Sequence, residues 1–296
     1  MTTRTSTTRR RVVQVLEGAA TERTDTLAAE EPLEIRVYPS DGGRAGDRAY
    51  TQISVTMRTP GHDFELAAGF LFTEGILSAA DQIGAISYCT DPTLDGEQQY
   101  NIVNVVLRPG TPFDPERLRR NFYTTSSCGV CGKASIEAIH VRGICPITDD
   151  AFAVDGEIFG RIGALLRKSQ TLFDKTGGLH AAGLFDGEGR LLAVREDVGR
   201  HNAVDKLVGY AALDRRLPLK QHVMMVSGRA SFEIMQKAAA AGIPIVAAVS
   251  APSSLACDVA RAFGTTLVGF LRGGRFCVYT GAHRIRLDGR ELPSLE

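Results

Sequence analysis

The pattern of apolar and polar positions divides the chain into two halves. In the first half, apolar and polar residues alternate over 33–37 and 53–57, as they do in half-buried strands, and 83–89 and 102–107 are predicted as two more strands. A helix is predicted over 64–72, where Leu66, Phe70 and Leu71 have helical spacing and Asp63 can serve as the N-cap. The first half therefore predicts a β-rich lobe that contains one helix.

In the second half, strand and helix patterns follow one another regularly. A hairpin is predicted over 179–185 and 190–195, and a helix over 201–213. Buried strands at 223–226, 243–249 and 266–270 are separated by helices at 232–241 and 252–263. Gly242 and Gly264 are placed as C-caps, and Pro252 fits a first helical turn. This alternation predicts a parallel sheet, whose ligands gather at the carboxyl ends of the strands.

The elements predict a two-lobed α/β (α+β) protein. We divide the chain into a disordered basic arm (1–25), a β-rich N-terminal lobe (26–120), a Cys-x-x-Cys loop with its following helix (121–150) and a C-terminal lobe (151–296). The arm is assigned on composition, since the first eleven residues are rich in threonine and arginine.

Composition and charge limit the possible partners. The 296 residues carry 34 basic and 34 acidic side chains, so no overall field favours a nucleic acid or a membrane surface. No apolar run is long enough to span a bilayer. The six cysteines are too unevenly spaced for a disulfide framework, and we therefore expect a cytoplasmic protein.

The most reactive stretch of the sequence is expected around Cys128 and Cys131. A glycine follows each cysteine, serines precede the pair, and Ile136 and Ile139 continue as one helical face. Free N–H groups at a helix start and the nearby Lys133 favour the thiolate form. A sulfur relay suits this loop. A structural zinc site would require four ligands, and a thioredoxin-like redox pair would require a preceding strand and an aromatic residue; both are less well supported. The other four cysteines are predicted to be small core residues or strand residues.

Polar groups at predicted strand ends form the second candidate site. Ser227 and Arg229, next to the serines at 250–254, resemble a phosphate cradle at helix N-termini. The polar run 196–202 favours a pocket wall. For His180, a half-buried hydrogen-bonded role and a ligand contact both stay open. A deaminase His-x-Glu pair is excluded, because Ala182 stands where the glutamate is needed and no Pro-Cys-x-x-Cys follows, so no metal is expected.

Seven short motifs together resemble one known family over residues 31–286. They are RTPG at 58–61, AGFLFTEG at 68–75, SCGVCG at 127–132, TGGLH at 176–180, EDVGRHNAVDK at 196–206, SGR at 227–229 and GFLR at 269–272. The sequence resembles the FdhD family of formate dehydrogenase accessory sulfurtransferases.

The resemblance implies a cytosolic homodimer that takes sulfur from a cysteine desulfurase and passes it to the molybdenum cofactor. That cofactor, Mo-bis(molybdopterin guanine dinucleotide), is cargo for formate dehydrogenase, and GDP is its expected mimic. The resemblance also implies that Cys128 carries the persulfide with Cys131 as its partner thiol, and that the C-terminal lobe is similar to a three-layer cytidine deaminase fold without its zinc. The implied cofactor segment is Phe276, Cys277, Val278, Tyr279, Thr280 and Gly281. The alternative is a cofactor-binding maturation chaperone without sulfur transfer.

Overall fold

A two-stranded hairpin opens the described part of the chain. The computed structural model describes residues 5–39, 50–114, 136–137, 139–140, 143–148 and 151–293. Strands β1 (Thr7–Leu16) and β2 (Ala19–Ala28) pair antiparallel over their full length. The predicted disorder over 1–25 is therefore wrong for the described residues. Threonines in both strands and valines in β1 favour an extended ribbon, because β-branched residues have high strand propensity.

The N-terminal lobe is a four-stranded sheet covered by one helix. Its elements are β3 (Glu31–Tyr38), β4 (Thr51–Arg58), α1 (Asp63–Thr73), β5 (Ile83–Tyr88), α2 (Gly96–Tyr100) and β6 (Ile102–Leu107). The strand order is β4-β3-β6-β5, with β3 and β6 parallel at the centre. The predicted strands and helix are confirmed. Leu33, Ile35 and Leu66 are among the fully buried residues that join the sheet to α1.

The start of α1 differs from the prediction. Asp63 is the first helical residue, and the preceding His62 has a left-handed backbone and makes no side-chain cap. The Asp63 carboxylate instead accepts from the guanidinium of the fully buried Arg58, at 2.9 and 3.0 Å. A buried arginine needs an ionised partner, and this need takes precedence over capping.

The C-terminal lobe has three layers. Its elements are β7 (Val154–Asp155), α3 (Ile158–Ser169), α4 (Thr171–Thr176), β8 (His180–Asp186), β9 (Leu191–Asp197), α5 (Arg200–Leu213), β10 (His222–Val226), α6 (Phe232–Ala240), β11 (Ile245–Ala248), α7 (Ser254–Ala262), β12 (Thr266–Arg272), β13 (Arg275–Thr280), β14 (Ile285–Leu287) and β15 (Arg290–Glu291). A sheet in the order β13-β12-β11-β10-β8-β9 lies between α5, α6 and α7 on one face and α3 on the other. The likeness to cytidine deaminase stays a prediction.

The large sheet is mixed rather than purely parallel. Strands β10, β11 and β12 are parallel, as predicted, whereas β8, β9 and β13 are antiparallel to their neighbours. The C-cap glycines are confirmed, since Gly242 and Gly264 have φ of 68° and 65°. The placement of Pro252 is wrong: α7 begins two residues later behind an N-cap hydroxyl of Ser253, and Pro252 forms a bridge with Ala230.

The two lobes meet where α1 crosses α5. A Cβ atom on Gly69 would lie 1.8 Å from the carbonyl oxygen of Asp205, and one on Gly209 would lie 1.8 Å from that of Glu65. Only glycine allows backbones to approach this closely. Among the described helices, none is long and apolar enough to cross a membrane.

Candidate functional site

The three parallel strands end side by side at one edge of the sheet. The N–H of Ser250, after β11, donates to the carbonyl of Gly228, after β10, at 3.3 Å. The N–H of Phe270, near the end of β12, donates to the carbonyl of Ser250 at 3.2 Å. The predicted neighbourhood of 227–229 and 250–254 is therefore confirmed, because the strand ends are directly hydrogen bonded.

A pocket of about 730 Å³ opens at this edge, between α3, α4 and the strand ends. Ser227, His180 and Arg272 line it together with Arg167 and Gln170. The remaining lining residues are apolar or glycine: Gly160, Gly163, Ala164, Leu166, Phe173, Gly177, Gly178, Leu179, Met225, Val249, Leu271 and Gly273. A mostly apolar cleft with a few polar groups is typical of a small-molecule site.

The polar groups of the pocket are held in defined positions. The hydroxyl of Ser227 accepts the N–H of Ala181 at 2.8 Å, which fixes it between β10 and β8. Burial lowers the pKa of His180, and the nearby positive charge of Arg200 lowers it further. The imidazole of His180 is therefore neutral at physiological pH and can accept or donate one hydrogen bond to a ligand.

Of the residues predicted to bind the cofactor, only Ser227 lines this pocket. Arg229 is exposed two residues further on, outside the pocket wall. Residues 276–280 form most of β13, the edge strand, Gly281 follows it directly, and none of the six lines the pocket. Their strand pairs with β12, which carries Arg272. The roles of these residues in binding stay a prediction.

Within 276–281, the described contacts are structural. The ring of Phe276 packs on Phe159 at 4.8 Å between centroids. The buried hydroxyl of Thr280 donates to the carbonyl of Thr265 at 2.7 Å and accepts from the N–H of Leu267 at 3.1 Å. Gly281 approaches Thr266 so closely that a Cβ atom would lie 2.5 Å from its hydroxyl oxygen. This segment therefore positions β12.

The polar run 196–202 is mainly a joint between the lobes, which corrects the predicted pocket wall. Asp197 is fully buried and pairs with the equally buried Lys206 at 2.6 Å. It also accepts the N–H of Thr59 at 3.1 Å and an amide N–H of Asn202 at 3.0 Å. Because a buried charge requires such partners, these side chains are committed to the contact between β9, α5 and the N-terminal lobe.

Arg200 and His201 lie on the same helix start but outside that network. His201 contacts Glu233 at 2.7 Å. The buried Nε of Arg200 has no hydrogen-bond partner among the described residues, and its charge acts on His180. Of the run 196–202, Arg200 therefore fits the predicted polar pocket wall best, because its charge acts on His180, which lines the pocket.

Cys128 and Cys131 lie outside the described residues. The helical face predicted after them is confirmed where it is described: Ile139 is buried in the core beneath α5, α6 and α7, and Ile136 packs against it. The ring of His140 stacks on Phe263 at 4.6 Å. Of the other cysteines, Cys89 is buried, whereas Cys145 and Cys277 are exposed, which corrects the predicted core placement of Cys145.

Sequence reasoning missed most of the pocket wall. Arg272 closes the GFLR motif and was available as a candidate, but its neighbours in the pocket come from α3 and α4. Arg167 lies in the amphipathic helix α3 and Gln170 follows its last residue, and the sequence gives no sign that this helix borders a cleft. In the described ranges, no group of three or more His, Cys, Asp or Glu side chains is placed to hold a metal ion.

Comparison with known proteins decides the family. The model of the FdhD/NarQ family matches residues 28–286, which is most of the chain. The chain belongs to the FdhD/NarQ family. Several similar proteins bear the name "Sulfur carrier protein FdhD", and two of them serve as examples. The one from Streptomyces avermitilis is 53% identical over 95% of this chain and 96% of its own length, and the one from Mycolicibacterium paratuberculosis is 52% identical over 94% and 98%.

A similar fold is also found among solved structures. A crystal structure from Desulfotalea psychrophila carries the provisional description of a formate dehydrogenase accessory protein. It superposes with a TM-score of 0.71 at 26% identity and covers 95% of this chain and all of its own. The two-lobed α/β architecture is therefore shared across the full length.

Proposed function

We propose that this protein is a cytoplasmic sulfur carrier for the maturation of formate dehydrogenase. It takes sulfane sulfur from a cysteine desulfurase as a persulfide on Cys128. It then passes the sulfur to Mo-bis(molybdopterin guanine dinucleotide) before that cofactor enters the dehydrogenase. The observation that carries the proposal is the similarity, over nearly the whole chain, to proteins named as sulfur carriers. The glycine-flanked Cys128 and Cys131 supply the chemistry that such a role requires.

The loading step is a thiol–persulfide exchange. The thiolate of Cys128 attacks the terminal sulfur of the desulfurase persulfide. A new S–S bond forms at Cys128, the S–S bond of the donor breaks, and the donor cysteine leaves as a thiolate, so no electrons are gained or lost overall.

The release step uses the second thiol. The thiolate of Cys131 attacks the Sγ of Cys128, the carried sulfur leaves as hydrosulfide toward the molybdenum of the cargo, and a Cys128–Cys131 disulfide forms. A dithiol reductant then returns both cysteines to thiols. Only two residues separate Cys128 from Cys131, and this short separation suits the attack of one thiol on the other.

We assign the pocket at the carboxyl ends of β10, β11 and β12 to the guanine nucleotide ends of the cargo, for which GDP is a mimic. Its volume of about 730 Å³ suits a nucleotide-sized group. Ser227 offers a hydroxyl at its floor, and Arg272 and the exposed Arg229 offer charge for phosphates. Residues 276–281 support the strand that carries Arg272.

We further propose a homodimer in which the hairpin of β1 and β2 contacts a second copy. Val13, Val15 and Leu16 are each about two-thirds exposed. Among the described residues, the ribbon packs on its own chain through β2 against α4, and the hydroxyl of Ser6 just before β1 donates to the carbonyl of Pro60. A lone two-stranded ribbon with unpaired edges is marginal in water, and a partner surface would stabilise it.

Mass spectrometry after incubation with a cysteine desulfurase and cysteine tests the sulfur-carrier role. We expect the peptide that contains Cys128 to gain the mass of one sulfur atom, and the gain to disappear in Cys128→Ala and on reduction. Cys145→Ala is the matched control, because Cys145 is an exposed thiol in the described part of the chain. An unmodified peptide, together with normal formate dehydrogenase maturation by Cys128→Ala, would favour the chaperone without sulfur transfer.

A further inference from the structure

The sheet of the N-terminal lobe ends in a strand whose outer edge is open. In the order β4-β3-β6-β5, strand β5 pairs only with β6 among the described residues. The N–H of Cys89, directly after β5, donates to the carbonyl of Ile102 at 3.0 Å. Because alternate residues of an antiparallel strand bond to the same neighbour, Ile86 and Tyr88 direct their N–H and C=O groups away from β6. This edge can therefore accept a further strand.

Strand β5 also lacks the features that usually protect a sheet edge. It reads Ile-Gly-Ala-Ile-Ser-Tyr, without a charged side chain or a proline. At the other end of the sheet, the carbonyl of Met57 on β4 accepts an amide N–H of Asn202 at 2.8 Å, so the C-terminal lobe occupies part of that strand. A register shift between Ile83 and Ala85 leaves 85–88 as the regular part of β5. The open edge is therefore short and unprotected.

A groove of about 330 Å³ lies beside this edge. Phe64 of α1, Ile86 of β5 and Leu213 of α5 form its apolar part. Leu213 is the last residue of α5 and is 42% exposed. A strand added to β5 would have a place to bury the apolar side chains that point toward the groove.

The charged side chains of the groove have an excess of positive charge. Arg108 and Arg215 line it together with one carboxylate, that of Asp81. Among the described residues, neither arginine forms an ion pair. The Nε of Arg108 donates to the carbonyl of Ile83 at 3.3 Å, which holds this guanidinium at the strand. Electrostatic complementarity therefore favours a partner segment that carries carboxylates.

The end of α5 fixes the backbone of Arg215. Its φ is 57°, in the left-handed region. The N–H of Arg215 donates to the carbonyl of Ala212 at 3.0 Å, and the N–H of Arg216 donates to that of Ala211 at 2.8 Å. Helices that end in this way usually have glycine at the left-handed position. An arginine there is strained, and strain of this kind concentrates at functional sites.

We propose that β5 and its groove bind an extended acidic segment of a partner protein, which adds as a strand beside 85–88. Main-chain hydrogen bonds to Ile86 and Tyr88 hold the segment, and its apolar side chains enter the groove. Its carboxylates pair with Arg108 and Arg215. A second copy of this chain would bring the same two guanidinium groups to the groove, so charge favours an acidic partner over self-association. This role goes beyond sulfur transfer and does not depend on it.

Selection from a displayed library of random seven-residue peptides tests the proposal with the full chain. We expect the wild type to enrich peptides in which aspartate or glutamate alternates with apolar residues. The double variant Arg108→Glu/Arg215→Glu should enrich lysine and arginine instead, because the charge of the groove is reversed. Arg286→Glu/Arg290→Glu is the matched control, since both arginines are exposed on the separate small sheet. It should select the same peptides as the wild type.

An enriched acidic peptide then serves as the probe for Arg215→Gly. Glycine adopts a positive φ without strain, so this variant should fold at least as stably as the wild type. We expect the Kd for the peptide to rise about 2- to 5-fold, the range that follows from losing one exposed ion pair. An unchanged Kd would remove Arg215 from the site.

Amide hydrogen exchange separates strand addition from simple attraction of charges. The bound peptide should slow exchange at the N–H groups of Ile86 and Tyr88, and it should leave β13, the edge strand of the large sheet, unchanged. Binding without this protection would overturn strand addition. The whole proposal fails if no peptide is enriched, or if the wild type and the charge-reversed variant enrich the same peptides. Protection of Ile86 that rises with protein concentration in the absence of peptide would assign the edge to a second copy instead.

Discussion

Several charged side chains of this protein form ion pairs that connect its two lobes. The guanidinium of Arg195 on β9 forms a bidentate ion pair with the carboxylate of Glu65 on α1. Lys237 on α6 meets Asp205 at 2.9 Å and Glu74 at 3.2 Å. Although burial alone would lower the pKa of Lys237, these carboxylates hold it above its usual value. Each pair joins two different elements, so the loss of one partner would leave a buried charge without its counter-ion at the contact between the lobes.

Glu65 gives the clearest pH prediction. Burial favours its neutral form, but hydrogen bonds from Arg195 and His62 outweigh burial and bring its pKa from 4.5 to about 2. A depressed pKa stabilises the fold above pH 4.5, and this stability is lost as the pH falls toward 2. Near neutral pH we expect Glu65→Gln to lower the free energy of unfolding by about 1–2 kcal/mol after allowing for solvent screening.

Urea unfolding over a pH series measures this effect. The difference between wild type and Glu65→Gln should shrink on acidification below pH 4.5, because the wild-type carboxylate becomes protonated. Glu188→Gln is the control, since its exposed pair with Arg190 should contribute little. A difference that does not vary with pH would show that the pair with Arg195 is not its source.

At the scale of elements, the crossing of α1 and α5 decides how the lobes fit. Both helices present a glycine at the contact, and each glycine faces the backbone of the other helix rather than a flexible side chain. Backbone cannot give way as a side-chain tip can. The apolar pattern of each helix predicts a buried side, but it does not predict that backbone meets backbone.

Gly69→Ala should therefore destabilise the protein severely. We expect a loss of at least about 3 kcal/mol, beyond the usual range for overpacking, because the added methyl overlaps a carbonyl. Gly163→Ala in α3 is the matched control, because its methyl would lie at an ordinary 3.7 Å from Met225. Since alanine is the better helix former, we expect this variant to be more stable by at most about 1 kcal/mol. Thermal unfolding of both variants measures this, and similar midpoints would disprove the contact.

At the scale of the whole molecule, the described chain is one two-lobed body with a ribbon that projects from it. The lobes share the α1–α5 crossing and the buried pair of Lys206 with Asp197. The hairpin of β1 and β2, by contrast, leaves most of its length exposed. Because the ribbon is exposed and the contact between the lobes is buried, we propose that two copies associate through the ribbon.

Removal of residues 1–28 tests that assignment. We expect the full chain to sediment as a dimer and the shortened chain as a folded monomer, because the ribbon adds little to the core of its own lobe. A chain that lacks only residues 1–5 keeps both strands and serves as the control. A dimer that persists without the ribbon, or a full-length monomer, would contradict the proposal.

The sequence by itself determined most of the elements and the family. Alternation in β3 and β4, glycine C-caps at Gly242 and Gly264, and the strand–helix order of the C-terminal lobe all follow from local rules. These rules act within one turn or one strand, so they can be read without the fold. The same holds for the motifs that resemble the family, whose membership the comparisons confirm.

Only the tertiary structure decided which side chains meet. Asp63 became a partner of Arg58 instead of a cap, and Asp197 became part of a joint between lobes instead of a pocket wall. The pocket combines residues 160–167 of α3 with the ends of β10, β11 and β12, more than fifty residues away in sequence. These contacts depend on burial, because a charged group removed from water must pair with a polar or charged group that the fold brings close to it. No local pattern records that choice.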